Sequence, residues 1–190
     1  VLNENDEAKE WLESVTELMY VAFQRSNFQQ EIFETYHDLC AFGTAAMFIE
    51  ADENDIVRFS ARHIKEIFIS EDARGLVNCI YRRFKLSAKS AVDKFGIDNV
   101  SRQLQNISKK SGFDEVEFCH IVKPRDIYDP KKKDKMNMPF ISIYMEMETG
   151  HIISISGFNE FPYVVPRYLK ASNEIYGRSP GMNSLPDVKV

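Results

Sequence analysis

Seven side chains in this sequence could ligate a metal or act as nucleophile and base: His37, Cys40, His63, Cys79, Cys119, His120 and His151. Zinc sites draw on close sets such as CxxC or HExxH, and neither pattern occurs. His37 and Cys40 stand three apart, on one helical face, which is the one ligand-like spacing. The alternative is that Cys40 is a small buried hydrophobe and His37 merely flanks it. Cys119 and His120 are neighbours in a strand-like run, so they point to opposite faces and cannot share an ion without a bulge. A cysteine–histidine pair could form through the fold, but no cysteine sits in a Gly-rich elbow or at an evident helix N-terminus. There is no GxxxxGKS or GxxxxGKT loop for a nucleotide and no GxGxxG for a dinucleotide. The residues therefore predict no catalytic centre, no metal and no organic cofactor.

Recognition by charge is the other possibility. Residues 121–140 carry Lys123, Arg125, Lys131, Lys132, Lys133 and Lys135 against Asp126, Asp129 and Asp134, a net of +3. Beside Tyr128, the run Lys131, Lys132, Lys133 and Lys135 could hold phosphate while the ring stacks on a base. Against that, the three aspartates dilute the field, and the 190-residue chain has a formal net charge of −5. Residues 1–24 hold six carboxylates, Glu10, Glu13 and Glu17 among them, against Lys9 alone, a local net of −5. An acidic helix and a basic loop at separate places could pair between copies in an assembly, or could be two solvated surfaces.

These groups need elements to hold them. Hydrophobic residues make up 44% of the chain and aromatics 12%, enough to build a core and exclude wholesale disorder. No apolar run approaches the roughly 20 residues that span a bilayer, and Val1 to Glu10 is too polar for the h-region of a signal peptide. No membrane partner is expected. Three widely spaced cysteines suit a reducing compartment better than a disulfide framework.

Residues 1–45 read as a helical hairpin. Asp6 is a candidate N-cap, and Trp11, Leu12, Val15, Leu18, Met19, Ala22 and Phe23 form one apolar stripe. After a break at Arg25-Ser26-Asn27, Asn27 with Gln30 resembles a capping box, and Phe28, Ile32, Phe33, Tyr36, Leu39 and Cys40 form the second stripe. Residues 46–175 read as an α+β domain. Short strand pairs flank Asp52–Asp55 and Glu71–Gly75, and Ser87 and Gly96 bracket a helix over 88–95. A second helix covers 100–109, and Val116 to Val122 is a strand ahead of the loop Pro124–Pro139. Ile141, Ile143, Met145 and Met147 alternate with polar residues up to Thr149-Gly150, which predicts a hairpin with a two-residue loop. Pro162 and Pro166 confine any strand over 161–169 to an edge. Residues 176–190, with Gly177, Pro180, Gly181 and Pro186, read as loop. The expected fold is α+β, a helical hairpin packed on a mainly antiparallel sheet or small barrel.

The run Tyr176-Gly177-Arg178-Ser179-Pro180-Gly181-Met182-Asn183-Ser184-Leu185-Pro186-Asp187-Val188-Lys189 resembles the head-to-tail connecting, or portal, proteins of short-tailed, T7-like bacteriophages and related prophages. In that family such a stretch leads into a long helical segment. The resemblance extends upstream in the family's order. It takes in Ala41-Phe42-Gly43-Thr44, Phe48-Ile49-Glu50, Glu71-Asp72-Ala73-Arg74-Gly75 and Tyr81-Arg82. It continues through Ala91-Val92-Asp93-Lys94-Phe95-Gly96, Asn137-Met138-Pro139-Phe140, Gly157-Phe158, Glu160-Phe161-Pro162-Tyr163 and Val165-Pro166-Arg167.

The resemblance implies a non-catalytic role. Portal proteins form a dodecameric ring at one capsid vertex, through which a separate terminase motor pumps double-stranded DNA and to which the tail later attaches. The virion is the implied location, with the host cytoplasm during assembly. Members of the family are much longer, so the chain is expected to be a piece of the wing, with residues 176–190 leading toward stem and clip. Subunit or capsid contacts are expected at Glu10, Glu13, Glu17, Lys131, Lys132, Lys133 and Lys135. A nucleic-acid-binding module built on the Lys131–Lys135 loop is the alternative.

Overall fold

Asp6 and Glu7 open the first helix, α1 (Asp6–Arg25), where free N–H groups favour carboxylates, and Arg25 closes it at the carbonyl end. Then come α2 (Phe28–Phe42), β1 (Ala46–Asp52), β2 (Ile56–Arg62), a short 3-10 turn (Ile64–Glu66), β3 (Ile67–Glu71) and β4 (Val77–Ser87). Helices α3 (Ala88–Phe95) and α4 (Arg102–Lys110) precede β5 (Glu115–Pro124), β6 (Phe140–Glu146) and β7 (Ile152–Phe158). Strand β8 (Tyr163–Val164) and helix α5 (Pro180–Val188) complete the order. This computed structural model describes residues 6–132 and 134–188. It has two compact units, the first from residues 1–63, 162–172 and 177–190 and the second from 64–161 and 173–176.

The first unit is built on an antiparallel sheet of order β2-β1-β8. Asp52 makes the β1–β2 turn, its carboxylate accepting from the N–H groups of Asn54 (2.8 Å) and Asp55 (2.9 Å). Those bonds hold the Asp52 carboxyl below its usual range. Strand β8, flanked by Pro162 and Pro166, takes the edge position beside β1, as the prolines predict. Phe48 packs on Tyr163 at 4.8 Å between ring centroids, and Phe23, Phe28 and Phe59 form a second aromatic cluster. The capping box expected at Asn27 does not form. Its side chain instead accepts from the Phe59 N–H (3.0 Å) and donates to the Phe59 carbonyl (2.8 Å), while Glu31 accepts from the Ala61 N–H (2.6 Å). Two side chains thus occupy backbone groups along edge strand β2. The apolar stripe predicted on α1 packs only at its C-terminal end, through Phe23, and is otherwise largely exposed: no residue of α1 is buried, Trp11 is 64% exposed and Leu18 69%.

The second unit is an antiparallel sheet of order β3-β4-β5-β6-β7. Both sheets are open, so the architecture is α+β without the small barrel that was the other expectation. Helices α3 and α4 supply Ala88, Ala91 and Leu104 to a core with Phe84, Val100, Val116, Phe118 and Ile153. Ser87 caps α3 by accepting from the Ser90 N–H (3.2 Å), and Gly96 ends it at φ +84°, with its N–H on the Val92 carbonyl. The β6–β7 hairpin forms, but its loop is four residues, not two. The Glu146 N–H meets the His151 carbonyl (2.9 Å), and Gly150, at φ +66°, sends its N–H back to the Glu146 carbonyl (3.1 Å). Met147 and Glu148, expected in the strand, belong to that turn.

Residues 180–188 are helical, where Pro180, Gly181 and Pro186 had suggested loop. Ser179, wholly buried, accepts from the Met182 N–H (3.0 Å), so it is the N-cap, and Pro180 takes the first helical position, where its missing N–H costs nothing. Ser179→Ala should cost about 1 kcal/mol, read as earlier loss of helical signal from the first unit in a urea titration. An unchanged midpoint would show that the cap contributes nothing.

Candidate assembly surfaces

Three of the stretches that carry the family resemblance meet at the C-terminal end of α2. Gly43 ends that helix in the left-handed conformation (φ +74°), its N–H on the Leu39 carbonyl (2.9 Å) and its own carbonyl accepting from the Tyr168 N–H (2.9 Å). Thr44 is fully buried, and its hydroxyl accepts from the Gly177 N–H at 2.7 Å. Ala45 donates to the Pro166 carbonyl (3.2 Å), and Thr44 bridges to Arg167. A Cβ on Gly43 would overlap the backbone at Arg178 and Ser179, and one on Gly177 would overlap the Gly43 carbonyl oxygen. The glycines at 43 and 177 are therefore dictated by backbone meeting backbone. This junction builds structure; it presents no reactive group.

Of the other chemical candidates, His37 and His63 line one groove with Glu34 and Asp38, Cys79 and Cys119 lie near Tyr81, and His120 and His151 stand apart. His37 is exposed, with Nδ1 3.9 Å from Asp38 Oδ1, and Cys40 is exposed rather than the buried hydrophobe considered above. Cys119 and His120 do face opposite ways. The buried His120 ring stacks on Tyr144 (3.9 Å between centroids, 2° between planes), with Nε2 2.9 Å from Ser142 Oγ. Burial pushes the Cys79 and Cys119 thiols up, away from the thiolate a nucleophile needs. Among the described residues, no three His, Cys, Asp or Glu side chains gather as metal ligands.

The charged candidates are surface groups on two different units. Glu10, Glu13 and Glu17 lie exposed along one side of α1, opposite its apolar stripe. Lys131, Lys132 and Lys135 are exposed in the loop between β5 and β6, and Lys133 lies outside the described residues. The aspartates here form turns: Asp129 accepts from the Lys131 N–H (3.1 Å), and Asp134 from the Met136 N–H (2.9 Å) and the Asn137 amide (3.0 Å). They shape the loop as well as diluting its charge.

One surface was not foreseen. In β6 the polar members of the alternation point inward: Ser142 and Glu146 are each 1% exposed, and Tyr144 packs on the core. Ile141, Ile143 and Met145 consequently take the opposite face, each only half-buried. Cross-strand register then aligns Phe68, Tyr81, Ile121, Ile143 and Ile155, one apolar residue from each of the five strands. Phe68 is 52% exposed, and Tyr81 and Ile155 are also exposed. The signal was present as apolar alternation, but alternation alone does not say which face meets the core.

Comparison with known proteins matches the family model described as bacteriophage head to tail connecting protein over residues 1–190. A protein of Bordetella phage BPP-1 named probable portal protein is 33% identical over 191 residues, covering 99% of this chain and 34% of that relative. The portal protein of Salmonella phage epsilon15 is 33% identical over 186 residues, covering 96% of this chain and 34% of its own length. The chain thus spans about a third of the length of these curated relatives. With its whole length matched and the residues of the resemblance joined around Gly43 and Gly177, the chain belongs to the bacteriophage head to tail connecting protein family.

Proposed function

We propose that this chain is wing material of a phage portal subunit, a non-catalytic structural part of the head–tail connector. The observation that carries the reading is the match along the entire chain to a connector family whose relatives are named portal proteins. In the complete subunit, α5 leads toward the stem and clip, and twelve copies close a ring at the capsid vertex. A terminase motor drives double-stranded DNA through that ring during packaging in the host cytoplasm, and tail proteins join it afterwards. Supporting a passive role are the raised Cys79 and Cys119 thiols; the net charge of −5 also suits a conduit that must release DNA. Glu10, Glu13 and Glu17 on α1, with Lys131, Lys132, Lys133 and Lys135 in the loop, are assigned to contacts with neighbouring subunits or the capsid.

A closed ring needs two different complementary faces on each subunit. In the proposed architecture those faces are divided among wing, stem and clip. Light scattering should therefore find a large closed ring for the complete subunit and a monomer or weak dimer for these 190 residues. A stable dodecamer from this chain alone would overturn that division. Exposed lysines beside the exposed Tyr128 keep the nucleic-acid reading testable in the same preparation: a mobility shift of DNA by the monomer, lost when Lys131 and Lys132 become Glu, would favour it over the connector.

A further inference from the structure

Two uncovered apolar surfaces of different shape lie on the two units. One is the stripe of Trp11, Leu12, Leu18 and Met19 along α1, all four exposed. The other is the five-strand band Phe68, Tyr81, Ile121, Ile143 and Ile155, on the sheet face opposite the α3–α4 core. We propose that the α1 stripe of one copy packs on the sheet band of a second copy of this chain. This deepens the portal reading and rests on it.

The dimensions agree. From Trp11 to Ala22 the stripe runs about 17 Å at helical rise, and five strands span about 19 Å from first to last. An apolar helix stripe on an apolar sheet face is one of the few layer packings that dry both partners. A groove beside Phe68, of about 500 Å³ and edged by Lys65, Glu66, Lys85 and the Arg83–Glu117 ion pair, gives that face room for a large side chain such as Trp11. Charge favours the same occupant. The helix comes from a segment of net −5 and is drawn at long range toward a face that carries Lys123 beside the band and the basic loop at its margin, although Glu10, Glu13 and Glu17, opposite the stripe, point away from the sheet. The contact joins unlike surfaces, so it is heterologous, the kind that repeats around a ring instead of ending at a pair. It would bury on the order of 1,000 Å², at the lower edge of the roughly 1,200–2,000 Å² typical of stable complexes. A single contact is therefore weak, and a closed ring makes it cooperative.

Trp11 is the chain's one tryptophan, so its emission reports burial of the stripe. Titrating the 190-residue chain to high concentration should move that emission to shorter wavelength as the mass rises. Tyr81→Lys or Phe68→Lys, both at exposed positions, should weaken the transition at least about tenfold, or ~1.4 kcal/mol, although Trp11 is untouched. Leu18→Glu should do the same from the helix side. An equimolar mixture of the Leu18→Glu and Tyr81→Lys chains should regain association, because each keeps the surface the other has lost. Sheet variants that leave the transition unchanged would mean that helix pairs with helix, and would overturn the proposal. So would a tryptophan already shielded at dilution, which means a helix lying on its own sheet, or no association at any concentration. In the complete subunit, rings formed equally well by Tyr81→Lys would overturn this contact and leave the portal reading standing. Failure of the unaltered subunit to form rings would overturn the portal reading itself.

Discussion

Replacing Gly43 by alanine is expected to destabilise the first unit by about 3 kcal/mol, a large share of the roughly 5–15 kcal/mol that holds a domain folded. Two costs add. The left-handed backbone at φ +74° charges any residue with a Cβ roughly 1–2 kcal/mol. The new methyl would also overlap the backbone at Arg178 and Ser179, and overpacking of that kind costs typically 1–3 kcal/mol. A flexible side chain could swing aside, but here the obstacle is main chain. Relief would require residues 177–179 to withdraw, taking with them the Gly177 N–H bond to Thr44 and the Ser179 cap of α5. Amide exchange should therefore show Gly177 and Met182 losing protection together, while amides of the five-stranded sheet keep theirs. If Gly43→Ala melts within a degree of the parent, the junction is not the support described above.

Glu146→Ala should cost the second unit a similar amount, about 3 kcal/mol, because it takes one buried acceptor away from three hydrogen bonds at once. The carboxylate is 1% exposed and accepts from the Ser101 N–H (2.8 Å), the Ser101 hydroxyl (2.6 Å) and the Thr149 hydroxyl (2.9 Å). Ser101 in turn accepts from the Leu104 N–H (3.2 Å) as N-cap of α4, so a negative group sits at the positive end of that helix. One side chain thus fixes both the start of α4 and the turn of the β6–β7 hairpin. Glu146→Gln keeps the shape and part of the accepting capacity, and should lose about half as much. Thr149→Val removes one bond and should lose about 1 kcal/mol. Urea titrations of the three variants test the order. If Glu146→Ala proves no worse than Thr149→Val, the shared carboxylate is not what organises this corner.

What could be read in advance follows from the range of the forces involved. Ser87 and Gly96 mark the ends of α3 because capping is settled within four residues, and Asp52 announces its turn for the same reason. Pro162 and Pro166 place β8 at an edge because a missing N–H forbids an interior strand. Asn27 misleads because its side chain has a better use thirty-two residues away, on Phe59. In α5, Pro180, Gly181 and Pro186 suggest loop, yet behind the Ser179 cap Pro180 takes the first helical position, where a proline starts a helix. The orientation of β6 depends on which face the α3–α4 layer covers, and no local pattern encodes that. The candidate surfaces divide the same way. Charged runs are visible in the sequence, whereas the band through Phe68, Tyr81 and Ile155 exists only once five strands are in register.

The second unit is spelled almost wholly between two parts of the first: residues 64–161 interrupt a unit that begins before His63 and resumes at Pro162. On the ribosome this fixes a sequence of events. Helices α1 and α2 and the β1–β2 hairpin emerge first, but β1 still lacks β8, and Thr44 still waits for Gly177, made 133 positions later. At roughly 5–20 residues per second, that wait lasts about 7–27 seconds. The five-stranded unit has all five strands and both short helices within one uninterrupted stretch, so it can fold while the first unit is still unfinished. Throughout that interval the α1 stripe and the open side of β1 stay exposed together, the one an apolar surface and the other a strand edge left unpaired until β8 is made.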